Sequence, residues 1–263
     1  MPTETLPPPA PQQSRARPSS DDAEMTFTEH LAELRTRLII SIATVAIVSL
    51  VAFPLMPQLL KLLEHYFIPG IQLHVFSPAE VIRVYIKLSF LAGIVVGFPV
   101  VLYETYAFVA PAIDKRLRGR VVWYAIPSFF MSLLGIAFCG LVVLPVVMHA
   151  LLGLTQSSGL EGTYQLDPTI GFIVILLGIF AIMFQLPIVL SLLASVGIVN
   201  AKLLADKWRH ATLIIVILAG IAAPDGNPLT MALLALPLIA LYLVSIVVVR
   251  ITQPKVVAAP NAA

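Results

Sequence analysis

The sequence predicts an all-α polytopic membrane protein with six transmembrane helices and both termini in the cytoplasm. Hydrophobic residues make up 59% of the 263-residue chain, and its mean hydropathy is +0.97. Soluble domains are only about half apolar. Long apolar runs alternate with short loops that carry most of the basic residues. No stretch has the composition of a separate soluble domain.

Three parts are expected along the chain. Residues 1–24, rich in Pro, Ser and Gln with few apolar residues, predict a disordered cytoplasmic tail. Residues 25–252 form the six-helix transmembrane domain, and residues 253–263 form a short cytoplasmic tail. The start of the chain lacks the short apolar core of a cleaved signal peptide, so the first apolar run is expected to stay in place.

Six apolar runs predict the spanning helices, each of which needs about 20 residues. They are approximately residues 38–53, 81–103, 121–152, 169–196, 211–223 and 229–249. The third run is too long to lie straight, and Pro127 and Pro145 indicate kinks. Pro187 interrupts the fourth run. The thirteen residues of the fifth rise about 20 Å, short of the about 30 Å of hydrocarbon, so a short helix is expected.

The segments between the runs are assigned from their composition. Residues 58–67 place leucines against Lys61 and Glu64, which predicts a short amphipathic helix. A short extended piece is expected within residues 71–76. Polar composition predicts loops at 153–168 and 200–210.

The orientation follows from the basic residues. All but three of the 16 Lys and Arg residues lie in the amino-terminal segment, the loops near 105–120 and 200–210, or the carboxyl-terminal tail. The exceptions are Lys61, Arg83 and Lys87. Because basic residues accumulate on the cytoplasmic side, both termini are expected there.

Residues 28–38, directly before the first run, are unusually charged. Five of these eleven side chains can carry charge, in a chain that is 11% charged. Thr26 and Glu29 have capping-box spacing, and Glu33 and Arg37 share one helix face. Two interpretations follow: a solvated juxtamembrane helix, or a recognition surface at the mouth of the bundle.

The order His-Leu-x-Glu-Leu-Arg-x-Arg-Leu over residues 30–38 resembles the amino-terminal signature of the TatC family, the receptor subunit of the twin-arginine protein translocase. Further similar blocks follow in the family's order; they are Phe76–Glu80 with Lys87, Pro99–Tyr103, Phe108–Pro111, Phe184–Pro187 and Ala223–Asp225.

This resemblance implies a receptor and core scaffold in the cytoplasmic (inner) membrane. It would bind the twin-arginine signal peptides of folded export substrates and recruit single-span partners of the TatA/TatB type. Self-association is also implied, with export driven by the proton gradient.

By the same resemblance, Glu33 is the principal signal-peptide ligand, because planar guanidinium groups are best met by carboxylates. Relatives carry a second Glu where this chain has Leu117, and many have Gln where it has Glu104. We therefore expect Glu104 to substitute in part, with Asp114 as the second candidate. Arg35 and Arg37 are expected to hold Glu33 in place and to contact lipid phosphates.

Phe108 and Pro111 match a family segment linked to signal-peptide recognition and are expected to form a wall beside Glu33. Gln185, deep in the fourth run, is either a helix–helix hydrogen-bonding group or part of a partner-docking region. Relatives often have Glu there, so a role that needs charge is not expected.

Three residues are expected to be structural, on the outer rim. Pro78 and Glu80 follow Ser77 at a helix start, with Ser77 as the cap and Glu80 in the first turn. Asp225, between Pro224 and Gly226, has the composition of a turn.

Catalysis and nucleic-acid binding are not predicted. The sequence has no His-Glu-x-x-His, Gly-x-Ser-x-Gly or phosphate-binding loop motif, so neither an enzyme nor a cofactor or metal site is expected. The rival interpretation is a secondary transporter for a small solute, with Gln185 and Glu104 lining its path.

Overall fold

A computed structural model describes residues 27–68, 72–109, 122–157, 163–195, 197–223 and 226–252. These ranges are almost wholly helical, as predicted. Their α-helices are α1 Phe27–Ala52, α2 Met56–Phe67, α3 Pro78–Val109, α4 Val122–Phe138, α5 Leu144–Ser157, α6 Leu166–Met183, α7 Leu186–Ser195, α8 Ala201–Asp206, α9 Trp208–Ala222 and α10 Pro228–Thr252. We call the end of the bundle where α1 begins the near end, and the opposite end the far end.

Five stretches of the described chain are long and apolar enough to cross a membrane. They are His30–Phe67, Pro78–Thr105, Ile126–Gly153, Leu166–Ser195 and Pro228–Thr252. Helix α9 is apolar but has only 15 residues, a rise of about 22 Å. It lies where the sequence predicts a short helix.

Prolines break two of the long stretches. Proline has no amide hydrogen, so the carbonyl four residues before it loses its helical donor. Before Pro145 the chain forms a π-helical turn, Cys139–Val143. Before Pro187 it forms a turn at Phe184 and Gln185. The predicted interruptions at these two prolines are confirmed, whereas Pro127 lies inside α4.

Two predicted loops are partly helical, and those predictions were wrong. The loop predicted at 153–168 is shorter at both ends, because α5 continues to Ser157 and α6 begins at Leu166. Residues 200–210 contain α8 and the start of α9. The side chain of Asn200 accepts a hydrogen bond from the Leu203 amide at 2.7 Å, and this cap starts α8.

The expected extended piece is a two-residue strand, β1 Leu73–His74. It pairs in parallel with β2 Tyr164–Gln165, Leu73 opposite Tyr164, and so ties together the segments that precede α3 and α6. The predicted amphipathic helix is α2, joined to α1 by the 3₁₀ turn Phe53–Leu55. Both predicted tails, the proposed cap Thr26 and the basic loop at 115–120 lie outside the described residues.

Helices α1 and α3 pack closely because α3 has glycines at their interface. A Cβ atom on Gly93 would overlap Ser49 and would lie 2.7 Å from the carbonyl oxygen of Val45. Gly97 faces the same stretch of α1, with the Val45 side chain 3.5 Å from an added Cβ. Small residues let transmembrane helices approach each other in this way. This contact fixes how α1 and α3 meet at the near end.

Candidate functional site

Charged and aromatic residues of α1 and α3 meet at the near end of the bundle. On α1, positions 30, 33 and 37 are spaced by three and four residues, which places them on one face. On α3, positions 104 and 108 are one helical turn apart. Because the two helices run in opposite directions, the last turns of α3 lie beside the first turns of α1. We call His30, Glu33, Arg37, Glu104 and Phe108 the near-end cluster.

The guanidinium of Arg37 joins two carboxylates from different helices. Its Nη1 donates to Oε2 of Glu104 at 2.9 Å, and its Nη2 donates to Oε1 of Glu33 at 3.3 Å. The side chains of Glu104 and Glu33 are 9% and 18% exposed, and that of Arg37 is 31% exposed. These partly buried ion pairs are screened less by water than pairs on an open surface.

One carboxylate oxygen of the near-end cluster is left over. Oε2 of Glu33 is buried and has no hydrogen-bond partner among the described residues. A buried acceptor without a donor costs free energy. A further donor that reached Glu33 would remove this cost, so the cluster has unused capacity for a cationic group.

An aromatic stack borders the charged pair. The rings of His30 and Phe108 lie with centroids 4.3 Å apart and an interplanar angle of 15°. Phe108 therefore lies at the near-end cluster, as its assignment to a binding wall requires. Sequence reasoning gave His30 no site role. Its position three residues before Glu33 was the available signal.

Other residues singled out in the sequence are not part of the cluster. Arg35 is exposed and makes no hydrogen bond or ion pair within the described part of the chain. Pro111, Asp114 and Leu117 lie outside the described residues.

Gln185 lies at the break between α6 and α7 and is 3% exposed. Its Nε2 donates to the main-chain carbonyl of Ser128 on α4 at 2.9 Å and lies 3.5 Å from the carbonyl oxygen of Ala181. Its Oε1 is buried without a partner in the described ranges. The interhelical hydrogen bond predicted as one interpretation of this amide is present.

At the far end, Pro78 is the first residue of α3, and the Ser77 hydroxyl oxygen lies 3.4 Å from the Ala79 amide. Glu80 lies in the first turn of α3, as predicted, but it is also buried, with 2% of its surface exposed. Its Oε1 accepts from Nε2 of Gln165 at 2.7 Å. Asp225 lies outside the described residues.

Sequence reasoning missed a second ionic cluster at the far end. Asp167 of α6 accepts from Nε of Arg83 at 2.9 Å and from Nζ of Lys87 at 2.6 Å. Arg83 and Lys87 are four residues apart on α3, where two positive charges repel each other. This spacing was a signal for a carboxylate nearby. Asp167 was overlooked because residues 153–168 were assigned to a loop.

The near-end cluster has the chemistry of a guanidinium-binding site. Two carboxylates converge on one guanidinium, beside an aromatic ring, at the end of a membrane bundle. A planar guanidinium forms paired, charge-assisted hydrogen bonds with carboxylates that an ammonium group cannot reproduce.

Known proteins resemble this chain over most of its length. The model of the family described as "Sec-independent protein translocase protein (TatC)" matches residues 29–237. The Sec-independent protein translocase protein TatC of Aquifex aeolicus is 33% identical over 88% of this chain and 97% of that protein. The corresponding protein of Deinococcus radiodurans is 31% identical over 92% of this chain and 93% of its own length. A crystal structure of the twin-arginine translocase receptor TatC superimposes with a TM-score of 0.76 at 32% identity, covering 85% of this chain and 99% of that one.

Proposed function

The chain belongs to the TatC family of Sec-independent protein translocase proteins and is a translocase component rather than an enzyme, and we propose that it is the receptor and core scaffold of the twin-arginine translocase. In this role it binds the twin-arginine signal peptides of folded proteins and recruits single-span partners of the TatA/TatB type. It associates with further copies of itself, and the proton gradient drives export.

The observation that carries this proposal is the convergence of Glu33 and Glu104 on the guanidinium of Arg37. An internal arginine already satisfies the geometry that an arginine of a signal peptide would need. Glu33 acts as the principal ligand, because its buried Oε2 accepts no hydrogen bond from the described residues. Glu104 acts as the second carboxylate.

The remaining near-end residues have supporting roles. Phe108, stacked on His30, and Pro111 form the wall beside the bound peptide. Arg35, exposed about two turns from the start of α1, interacts with lipid phosphates and keeps this part of the helix at the membrane surface. Asp114 is the alternative second carboxylate.

The proposed topology has six spans, with the short helix α9 as the fifth. Both termini then lie in the cytoplasm, and the chain is embedded in the cytoplasmic membrane. Described basic residues of the near end, among them Arg35, Lys202 and Arg250, support this orientation by the positive-inside rule. The region of Gln185, α9 and α10 is the proposed docking surface for single-span partners, while Pro78, Glu80 and Asp225 shape the outer rim.

The transporter interpretation requires Gln185 and Glu104 to line a solute path. Gln185 is instead hydrogen-bonded to α4 in a helix interface, and Glu104 is paired with Arg37. Both side chains are buried, each in a contact between a different pair of helices. These engagements favour the receptor interpretation.

Site-specific photo-crosslinking tests the proposal. A photoreactive residue replaces Leu34, which is 41% exposed on α1 next to Glu33, and Leu203, 44% exposed on α8, serves as the matched control. We expect a crosslink from position 34 to a substrate whose signal peptide carries Arg-Arg, and its loss when the pair is Lys-Lys. Equal crosslinks for both peptides, or equal yields from positions 34 and 203, would contradict the proposal.

A further inference from the structure

We propose that an apolar groove at the far end of the bundle binds one acyl chain of an anionic phospholipid, whose phosphate group is held by Arg83 and Lys87. The groove lies between α2, α3 and the π-helical turn, away from the near-end cluster. The proposal is independent of signal-peptide binding.

The groove has a volume of about 430 Å³, within the range of about 300–1,000 Å³ typical of ligand sites. Its walls are apolar side chains, with the Tyr66 hydroxyl as the one hydroxyl group among them. The residues that define its shape are Leu59, Leu63, Phe67, Leu91, Val95 and Gly140.

The π-helical turn forms part of the groove wall. The ring of Phe67 packs directly on Gly140, where a Cβ atom would lie 2.7 Å from the ring. This contact seats the end of α2 on the turn, and the turn directs Leu141 and Pro145 to the groove wall. Such turns within helices are rare and frequently occur at functional sites.

The size and lining of the groove indicate its occupant. Its lining offers water few hydrogen-bond partners. Helices α3, α4 and α6, which form much of its wall, belong to stretches long and apolar enough to cross a membrane, so the surrounding medium is lipid hydrocarbon. One turn of a helix, about 10 Å wide and 5.4 Å long, occupies about 420 Å³. The groove therefore has room for no more than about one turn of a partner helix, and an acyl chain of the surrounding lipid is the thinner apolar occupant.

Charge at the far end complements a phosphate group. Lys87 directly precedes Leu88 of the groove wall, and Arg83 lies one turn further outward on α3. Both cations face Asp167 at the start of α6, a helix whose Leu177 also lines the groove. Their side chains are 50% and 40% exposed, but that of their partner Asp167 is only 16% exposed. Glu80 is buried against Gln165. The accessible charge is thus positive, as an anionic headgroup requires.

Native mass spectrometry of the full chain tests the proposal. The protein is extracted from nanodiscs of phosphatidylcholine mixed with phosphatidylglycerol, and bound lipids are counted. We expect one phosphatidylglycerol retained several-fold in preference to phosphatidylcholine. Ala92→Phe and Val96→Phe, which fill the groove, should abolish retention, while Ala240→Phe on exposed α10 should not. Arg83→Gln should remove the headgroup preference, and Arg250→Gln should not.

Several outcomes would overturn the proposal. Lipid retention by both groove-filling variants would show that the chain binds elsewhere, and equal retention of the two lipids would remove the headgroup assignment. Loss of self-association or of a co-purifying protein, with lipid retained, would make the groove a protein interface. Val96 is exposed, so a phenylalanine at this position should not disturb folding. If Ala92→Phe fails to fold, lipid retention by Val96→Phe therefore tests the proposal. Photoactivatable phosphatidylglycerol should also label α2, α3 and the π-helical turn of the unaltered protein.

Discussion

Arg37 of α1 donates a hydrogen bond to Glu104 of α3 at 2.9 Å, and this ion pair joins the two helices where they meet at the near end. The other nitrogen of the same guanidinium reaches Glu33 at 3.3 Å. Both carboxylates proposed to hold a signal peptide are therefore occupied by an internal arginine. An arriving arginine must either use the Oε2 atom of Glu33, which has no donor within the described part of the chain, or replace Arg37. Both routes can be tested by substitution.

Glu104→Gln should weaken binding of a twin-arginine signal peptide by about 10- to 100-fold, because a hydrogen bond to a charged group contributes about 1.5–3 kcal/mol. The dissociation constant is measured with a fluorescent signal peptide and protein in nanodiscs. Glu64→Gln, in a half-buried carboxylate of α2, is the matched control. A loss no larger than that of Glu64→Gln would remove Glu104 from the site.

The Arg37–Glu104 pair should also stabilise the folded protein. Arg37→Gln and Glu104→Gln should each lower the midpoint of thermal unfolding, and the double variant should be less destabilised than the sum of the two. The expected coupling is about 1 kcal/mol, as for partly exposed ion pairs in contact. Additive effects would mean that the pair contributes no stability.

Charge is rare in this chain, so the charged segment 28–38 stands out in the sequence, and the resemblance to the TatC family singles out Glu33 and Glu104 as signal-peptide ligands. Glu33 and Glu104 stand out at the ends of long apolar runs, where a carboxylate is costly unless it has a partner. That Arg37 bridges them was not predictable, since it depends on how far α1 is shifted along α3. That shift is set by packing at Gly93, and spacing along one helix does not reveal the register between two helices.

The positions of the long helices were predictable from the sequence, but the local geometry at their breaks was not. Apolar length located the helices, and Pro145 and Pro187 located their interruptions. The form of each interruption was not predictable, because a proline removes one hydrogen bond and several local geometries can absorb that loss. Asp167 was missed because polar residues such as aspartate are common both in loops and at the first turn of a helix, so residue type alone does not distinguish the two.

Gly93→Ala should loosen the α1–α3 interface, while Gly97→Ala should be tolerated. A methyl group at 93 would lie 2.7 Å from the backbone carbonyl of Val45, but at 97 it would make an ordinary contact at 3.5 Å. Overpacking of this kind costs about 1–3 kcal/mol. The thermal midpoints of the two variants are compared, and equal midpoints would contradict the close contact at Gly93.

Gln185→Leu should change stability by less than about 1 kcal/mol, because it removes both an interhelical hydrogen bond and a buried acceptor that has no partner among the described residues. Thermal unfolding checks this expectation against Gln58→Leu at an exposed position of α2. If export falls while stability is retained, the result would indicate that the region of Gln185 takes part in partner docking. A large fall in stability would show instead that the hydrogen bond to Ser128 holds α4 and α6 together.

Arg37→Gln should strengthen binding of a twin-arginine signal peptide, in contrast to Glu104→Gln. It frees the Oε1 atom of Glu33 and the Oε2 atom of Glu104 that Arg37 occupies, so the arriving guanidinium no longer competes with an internal one. Removal of about 1.4 kcal/mol of competition corresponds to about a tenfold gain in affinity. Arg209→Gln, exposed on α9, is the control.

A fall in affinity for Arg37→Gln would give Arg37 a different role. It would then be a positioning residue that aims Glu33 at the substrate, and Arg37→Lys, which keeps the charge but not the two-pronged geometry, should restore little of the binding. Arg37→Gln could instead raise the affinity and also weaken the discrimination between Arg-Arg and Lys-Lys peptides. That result would identify Arg37 as the group that sets selectivity, because a guanidinium of the peptide can form the same paired hydrogen bonds as Arg37 and an ammonium group cannot.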